Sequence, residues 1–369
     1  MPASAAAARP DVQMNAFSAT SMNTSGVCPA APKCYNGDAC AESRDALLMF
    51  RSTLPALTAL LFLHFTPLAA ADDRNYTRQE DVIYARKYGT ALTLDVFQPK
   101  ANAKGIGIIF VVSGGWFSEH SGDGKVGRFA GLLDRGYTVF SVVHGSNPKF
   151  TIPEVLEDMN RAVRFIRFHA KDYAIDPGQL GITGGSAGGH LSLMQGTAGD
   201  LGNPNAKDPI DRVSSRVQAV ACFFPPTDFL NYGKPGENAI GRGILWNFAG
   251  AFDFREYDPD FRMLKPITDE EKIREIGRRI SPINHVTPDD PPMLIFHGDK
   301  DWLVPMQQSE TFVEKMKAAG VEAKLVVKPG AEHGWPDMSA ESAAIADWFD
   351  AHLVKKGNAS EAVPANGSR

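Results

Sequence analysis

The sequence predicts an α/β fold in which helices cover both faces of a mostly parallel sheet of about eight strands. Two observations support this prediction. From residue 80 onward, short β-rich runs alternate with stretches of helical periodicity, and glycine or proline bounds the runs. The chain is 43% hydrophobic and 22% charged with a net charge of -5, which is typical of a globular protein and offers no basic surplus for nucleic acid.

The strand candidates begin with Asp81 to Arg86 and Ala91 to Phe97, which we expect to form an antiparallel edge pair joined through Gly89. Stronger apolar runs predict the remaining strands at Ile106 to Val112, Tyr137 to Val143, Leu180 to Thr183, Val217 to Phe224, Met293 to Phe296 and Ala323 to Val327.

Helices are predicted between these runs. Pro153 to Ala170 places Leu156, Met159, Val163 and Ile166 at helical spacing, which gives one apolar stripe to lie on the sheet. The other helix candidates are Lys125 to Arg135, Ala187 to Gly196, Gln307 to Ala319 and Ala340 to Lys355.

Residues 231–290 interrupt the alternation and predict a small cap insertion above the sheet. The stretch begins with a glycine-rich and aromatic segment, Gly241 to Phe252, and continues into a charged helix-like piece, Asp269 to Arg279. Because an interfacial lid is apolar, the charge of this piece disfavours a long-chain lipase.

The first seventy residues predict export. Arg51 precedes the apolar run Leu54 to Leu68 and three alanines, so residues 49–71 have the pattern of a signal peptide cleaved after Ala71. A membrane anchor is the alternative, but the run is shorter than the ~20 residues of a spanning helix and contains Pro55 and Pro67. The mature protein is then expected in the periplasm or outside the cell, with no stable membrane span.

The domain boundaries follow from the same segments. Residues 1–48 show no hydrophobic period, and our hypothesis is that translation starts at Met49 and that this extension is a gene-model artefact. Residues 72–356 are predicted to fold as one domain, and the polar tail 357–369 is predicted to be disordered. The body keeps one cysteine, Cys222, in an apolar run, which predicts a buried thiol and not a nucleophile.

The best nucleophile candidate is Ser186. It lies in the GxSxG pattern formed with Gly184 and Gly188, directly after a predicted strand and directly before a predicted helix. A serine at such a turn projects its hydroxyl above the sheet, and the helix N-terminus stabilises negative charge that develops there. Alone, the pattern also occurs in plain glycine-rich loops.

A serine nucleophile needs a histidine base, and in this strand-turn-helix arrangement the chain order is serine, acid, histidine. Of the nine histidines, only four follow Ser186 by more than a turn. His333 alone lies in a glycine-rich loop after the last predicted strand, whereas His285 falls in the cap, His352 in the terminal helix and His297 at a strand end, where a structural role is expected.

Two aspartates compete for the acid in the loop after Met293 to Phe296, and Asp228 is a third candidate. We favour Asp301 over Asp299, because Asp299 lies in the tight turn where an aspartate most often bonds its own backbone. Asp228 follows two prolines and a threonine, so a turn-forming role is expected for it. The oxyanion of an acyl-transfer intermediate needs backbone donors, for which we predict the amides of Gly114, Gly115 and Ala187, worth ~3 kcal/mol each.

Taken in order, these segments resemble the α/β-hydrolase superfamily, and specifically its small esterases, the group that contains bacterial feruloyl and acetylxylan esterases. The resemblance covers Val82 to Leu353 and rests on SGGW at 113–116, GGSAGGH at 184–190, HGDKDWLVP at 297–305 and EHGW at 332–335. It implies an α/β-hydrolase fold, an ester substrate of small-molecule or carbohydrate type, and Asp301 as the acid. The oxyanion motif of that family usually reads HGGGW, whereas Val112 and Ser113 replace its histidine and first glycine here.

No cofactor or metal is predicted, since the sequence has no HExxH, no paired cysteines, and no P-loop or dinucleotide fingerprint. The sequence therefore predicts a serine esterase acting through Ser186, Asp301 and His333. Two alternatives stay open. One is an exopeptidase like the prolyl-oligopeptidases, which normally carry a propeller ahead of the hydrolase domain; the other is a binding protein that keeps the fold without the chemistry.

Overall fold

Strands and helices alternate along the residues that the computed structural model describes, 74–120 and 126–355. The strands are β1 (Tyr76–Lys87), β2 (Thr90–Pro99), β3 (Gly107–Val112), β4 (Thr138–Val143), β5 (Leu180–Gly185), β6 (Ala219–Phe223), β7 (Arg255–Asp258), β8 (Met263–Pro266), β9 (Met293–Gly298) and β10 (Ala323–Lys328). The helices are α1 (Ala130–Asp134), α2 (Ile152–Phe168), α3 (Ala187–Ala198), α4 (Glu270–Arg279), α5 (Gln307–Ala318) and α6 (Ser339–Leu353). The predicted extension, signal peptide and tail lie outside the described residues.

Eight of the strands form one sheet in the order β1-β2-β4-β3-β5-β6-β9-β10. The pairs β1·β2 and β2·β4 are antiparallel, and every other pair in this sheet is parallel. The hairpin between β1 and β2 turns at Tyr88 and Gly89, which both have positive φ. The predicted α/β class, the eight strands and the antiparallel edge pair are therefore confirmed.

The central strands are buried on both faces, which is why they read as continuous apolar runs. Alternate residues of a strand join opposite cores. Ile109 packs into the core that includes residues of α2, α3 and α5, whereas Ile108 packs into the core that includes residues of α1 and α6. Cys222 is buried in the first of these cores, and burial raises the pKa of its thiol, as expected for an inert side chain.

Helix α2 illustrates how the local sequence sets an element. Thr151 and Glu154 form a capping box at its N-terminus, where the Thr151 N–H donates to the Glu154 carboxylate at 2.7 Å. Three of the four stripe residues predicted for this helix are buried, and Leu156 is half-buried. The stripe therefore docks the helix on the sheet as predicted.

The cap lies between β6 and β9. It contains a 3₁₀ segment, Gly243–Phe252, the hairpin β7-β8 and the charged helix α4. The hairpin is not predicted from the sequence, because its strands are four residues long and mix charged with apolar side chains. In the described ranges, no helix combines the length and apolarity needed to cross a membrane.

Candidate active site

Ser186 occupies the sharp turn between β5 and α3. Its backbone is strained, with φ 55° and ψ -122°. The flanking positions need glycine, since a Cβ on Gly184 would lie 2.6 Å from the carbonyl oxygen of Gly188 and one on Gly188 would lie 3.0 Å from that of Val111. The turn therefore lifts the Ser186 hydroxyl to the carboxyl edge of the sheet, above the N-terminus of α3.

Ser186, His333 and Asp301 form one hydrogen-bonded chain, although they come from three separate loops. The His333 Nε2 atom lies 2.9 Å from Ser186 Oγ, and His333 Nδ1 lies 2.8 Å from Asp301 Oδ2. Because a carboxylate can only accept, His333 Nδ1 carries the proton and the Nε2 lone pair faces the serine hydroxyl. In this tautomer His333 is ready to act as a base.

The Asp301 carboxylate has other hydrogen-bond partners besides His333. Its Oδ1 accepts from the backbone amides of Leu303 at 2.9 Å and Val304 at 2.8 Å, and its Oδ2 also lies 3.2 Å from His297 Nε2. Burial alone would raise the pKa of Asp301, but the hydrogen bonds from His297, His333 and Val304 outweigh it and hold the pKa below its ordinary value. The carboxylate is therefore ionised across the neutral pH range.

His297 is a residue whose place in the site the sequence did not indicate. It ends β9 fully buried, with Nδ1 2.7 Å from Ser309 Oγ and Nε2 2.8 Å from the Val304 carbonyl oxygen. The role predicted for His297 is structural. Its imidazole contacts the Asp301 carboxylate, so this role consists in supporting the proposed acid.

The alternative acids have other partners. Asp228 accepts from the Leu230 amide at 3.0 Å in a local turn, as predicted. Asp299 accepts from the Gly330 amide at 2.6 Å. The expectation that Asp299 bonds the backbone of its own turn is therefore wrong. Its carboxylate connects the loop that carries Asp301 with the loop that carries His333.

The three predicted oxyanion donors are not equivalent. Gly114 departs from the prediction, because its N–H already donates to the carbonyl of Phe117 at 2.9 Å. Within residues 74–120 and 126–355, the amides of Gly115 and Ala187 donate to no other group. An oxyanion bound without breaking an existing hydrogen bond would therefore use Gly115 and Ala187.

The loop that carries Gly115 is a tight two-residue turn. Gly114 and Phe117 exchange both backbone hydrogen bonds at 2.9 Å, and the central residues Gly115 and Trp116 have φ of 55° and 59°, the signs required by a type I′ turn. The Phe248 ring of the cap covers this turn, since a Cβ added to Gly115 would lie 2.4 Å from Phe248 Cε1. The cap therefore forms one wall over the oxyanion loop.

A cleft and an aromatic ring border the segments that carry Ser186 and His333. A cleft of about 240 Å³ is lined by Ser113, Gly114, Phe117 and Gly185, and Gly185 directly precedes Ser186 in the chain. The ring of Phe224 packs against the His333 imidazole, with centroids 4.5 Å apart. Gly114 therefore borders the cleft, and His333 borders an aromatic ring.

One group of potential metal ligands occurs in the part of the chain that the structure describes, formed by Asp81, Asp95 and His120. The guanidinium of Arg78 lies 2.7 Å from Asp95 Oδ2 and 3.2 Å from His120 Nε2. Because an arginine already supplies the positive charge there, this group does not suit a metal ion.

The chain matches two family models. Residues 94–316 match BD-FAE, and residues 277–356 match the dienelactone hydrolase family.

Individual proteins are similar over much of the chain. A probable carboxylic ester hydrolase of Mycobacterium tuberculosis, LipM, is 25% identical over 73% of this chain and 59% of its own length, so the chain spans little more than half of that relative. A truncated carbohydrate esterase from gut microbiota is 27% identical, with a TM-score of 0.63 over 77% of this chain and 99% of its own. An acetyl ester-xyloside bifunctional hydrolase from Caldicellulosiruptor lactoaceticus, 22% identical with a TM-score of 0.57 over 73% of this chain and 93% of its own, supports the fold alone.

Proposed function

The chain belongs to the BD-FAE family, and from that premise we propose that it is a serine hydrolase that cleaves carboxylic esters through Ser186, His333 and Asp301. The chain Asp301–His333–Ser186 is the observation that carries the proposal, because its two hydrogen bonds of 2.8 and 2.9 Å have the order and the tautomer that acyl transfer needs. A fold that only binds its ligand has no need of a strained serine at the end of that chain.

The proposed reaction proceeds in two steps. His333 Nε2 takes the Ser186 proton while Ser186 Oγ attacks the ester carbonyl, and the amides of Gly115 and Ala187 donate to the resulting oxyanion. His333 then gives the proton to the departing alcohol. A water molecule, deprotonated by the same imidazole, attacks the acyl-enzyme and releases the acid, while Asp301 stabilises the protonated His333 in both steps.

The proposed substrates are small acyl or carbohydrate-linked esters. A carbohydrate esterase is among the structural relatives at 27% identity, which supports a sugar ester as the natural substrate. The charged helix α4 in the cap argues against long acyl chains.

The test uses purified protein with p-nitrophenyl acetate and a fluorophosphonate probe. We expect wild-type protein to hydrolyse the ester and to be labelled, and Ser186→Ala to lose both properties. A matched control is Ser192→Ala, six residues further along the chain in α3, whose hydroxyl donates to the Gly188 carbonyl at 2.7 Å and lies outside the triad. Hydrolysis by Ser186→Ala at the wild-type rate would contradict the assignment. With the wild-type protein, a panel of acetyl, butyryl, feruloyl and acetylated-sugar esters would define the preferred acyl group.

Export remains part of the proposal. The signal pattern at residues 49–71 predicts a mature N-terminus at Asp72. N-terminal sequencing of protein recovered from the periplasm or medium is expected to begin there, and unprocessed protein is expected to begin at Met49. Residues upstream of Met49 in the unprocessed protein would contradict the start-site hypothesis.

A further inference from the structure

The oxyanion loop that follows β3 is held by the segment that follows β4. Strands β3 and β4 are parallel and place Val112 opposite Val143, so the next residues, Ser113 and His144, lie side by side at the strand ends. His144 Nε2 lies 2.9 Å from Ser113 Oγ. Asn147 continues the attachment, with its Nδ2 donating to the Gly115 carbonyl at 2.7 Å and its backbone N–H donating to the Trp116 carbonyl at 3.2 Å.

The direction of the hydrogen bond between Ser113 and His144 is fixed by a third group. His144 Nδ1 lies 2.7 Å from the carbonyl oxygen of Gly145, which can only accept, so Nδ1 carries the proton. His144 Nε2 is therefore an acceptor, and the Ser113 hydroxyl donates to it. His144 is 2% exposed, and burial lowers its pKa to about 4, which keeps the ring neutral and able to accept.

This contact lies where the chain departs from the family pattern. Val112 and Ser113 stand at the positions where the resemblance implies the histidine and the first glycine of HGGGW. We propose that Ser113 and His144 are positioning residues whose hydrogen bond fixes the turn presenting the Gly115 amide to the oxyanion. Among the described residues neither side chain hydrogen-bonds Ser186, so we expect the pair to act through the loop on the stabilisation of charge and not on substrate binding.

The inference rests on the proposed esterase function, and the Ser113 hydroxyl is the feature to remove. We expect Ser113→Ala to lower kcat about tenfold while KM stays within twofold, because one hydrogen bond that orients the donor is lost. The affinity for a trifluoromethyl ketone, which forms an oxyanion adduct with the serine, is expected to fall by the same factor as kcat/KM. Ser113→Thr keeps the hydroxyl and is expected to restore kcat to within threefold of wild type.

His144 provides the second variant. Because the two residues act through one hydrogen bond and phenylalanine has no acceptor for it, Ser113→Ala combined with His144→Phe is expected to be no slower than His144→Phe alone. Ser215→Ala is the matched control, since it also removes a buried hydroxyl, one that accepts from the Asp200 amide at 2.9 Å beyond the C-terminus of α3. We expect this control to lower the melting temperature without changing kcat.

The outcomes separate the two proposals. Wild-type kcat in Ser113→Ala, additive losses in the double variant, or a rise in KM that accounts for the lost activity would each overturn the positioning role while the esterase function stands. Wild-type protein that neither hydrolyses esters nor reacts with the fluorophosphonate would overturn both. Should Ser113→Ala fail to fold, His144→Phe, which lacks the acceptor, is compared with Ser113→Thr, which keeps the donor, for the same changes in kcat and KM.

Discussion

The indole N–H of Trp116 donates to His190 Nδ1 at 3.1 Å, and this bond joins the oxyanion loop to the helix that follows the nucleophile. His190 Nε2 in turn donates to the carbonyl of Ile280 at 2.7 Å. Both residues are buried, and burial lowers the pKa of His190 to about 4, so the ring is neutral. The last residues of the SGGW and GGSAGGH segments, Trp116 and His190, are therefore hydrogen-bonded to each other. His190 also bonds Ile280 at the C-terminal end of α4 in the cap.

Trp116→Phe tests this link. The change keeps most of the buried ring but leaves His190 Nδ1 without its donor, which is expected to destabilise the protein by about 1–3 kcal/mol. Urea unfolding would measure the change. Trp335→Phe is the matched control: its indole N–H donates to Glu341 at 3.2 Å, but Lys328 also bonds that carboxylate, so a smaller loss is expected. Equal losses in the two variants would contradict the role of His190 as a buried acceptor.

Asp301→Asn separates the two aspartates that compete in the sequence. An asparagine can donate to His333 Nδ1, which would put the imidazole proton on Nε2 and prevent it from accepting the serine proton. The expected fall in kcat is on the order of 10⁴-fold. Asp299→Asn, which changes the contact with the Gly330 amide, is expected to cost less than about tenfold, because that bond orients a loop and does not set the tautomer. Steady-state kinetics would reveal a reversed order if Asp299 were the acid.

The three members of the hydrogen-bonded chain could be selected from the sequence because each lies in a local pattern typical of a turn: glycines flank Ser186, His333 lies in a glycine-rich loop, and Asp301 follows a buried strand. The eight-stranded sheet could be predicted for the same reason, since its buried strands are continuous apolar runs.

The supporting contacts could not be predicted, because they depend on the alignment of neighbouring strands and on side-chain direction. Ser113 and His144 are 31 positions apart, and only the pairing of Val112 with Val143 brings them together. The hydrogen bond that the Gly114 amide donates to the Phe117 carbonyl likewise depends on the turn between these residues, and no residue pattern predicted that turn.

Gly115→Ala tests whether the cap ring closes over the oxyanion loop. The new Cβ would meet Phe248 Cε1 at 2.4 Å, and φ of 55° adds roughly 1–2 kcal/mol of backbone strain for a residue with a side chain. We expect kcat/KM for p-nitrophenyl acetate to fall at least tenfold. Gly114→Ala, where a Cβ meets nothing within 4 Å, is the matched control and is expected to cost less than threefold.

Phe248→Ala in the Gly115→Ala background is expected to recover the part of the loss that comes from the ring, leaving the part that comes from the backbone. Because the ring lies over the turn, Phe248→Ala alone is also expected to raise the rate with butyryl relative to acetyl esters. No recovery in the double variant would indicate that the ring lies elsewhere in solution.

The buried histidines His144 and His190 predict acid destabilisation in a defined window. Their pKa values fall from 6.5 to about 4 on burial, so between these values the unfolded chain holds more protons than the folded one, and stability falls as the pH falls. Each shift corresponds to roughly 3 kcal/mol once the pH is below 4. The depressed pKa of Asp301 acts chiefly at lower pH, because that carboxylate loses its advantage only as it becomes protonated.

His190→Gln, which removes one of the two titrating rings, is therefore expected to reduce the dependence of the unfolding free energy on pH between 6.5 and 4. Urea unfolding at several pH values in this window would measure it. The matched control is His169→Gln at the end of α2, which leaves both buried rings in place, so the slope of wild type is expected to persist. The same slope in His190→Gln as in wild type would contradict this prediction. It would mean that His190 takes up a proton in the folded protein, although its Nδ1 accepts the hydrogen bond from Trp116.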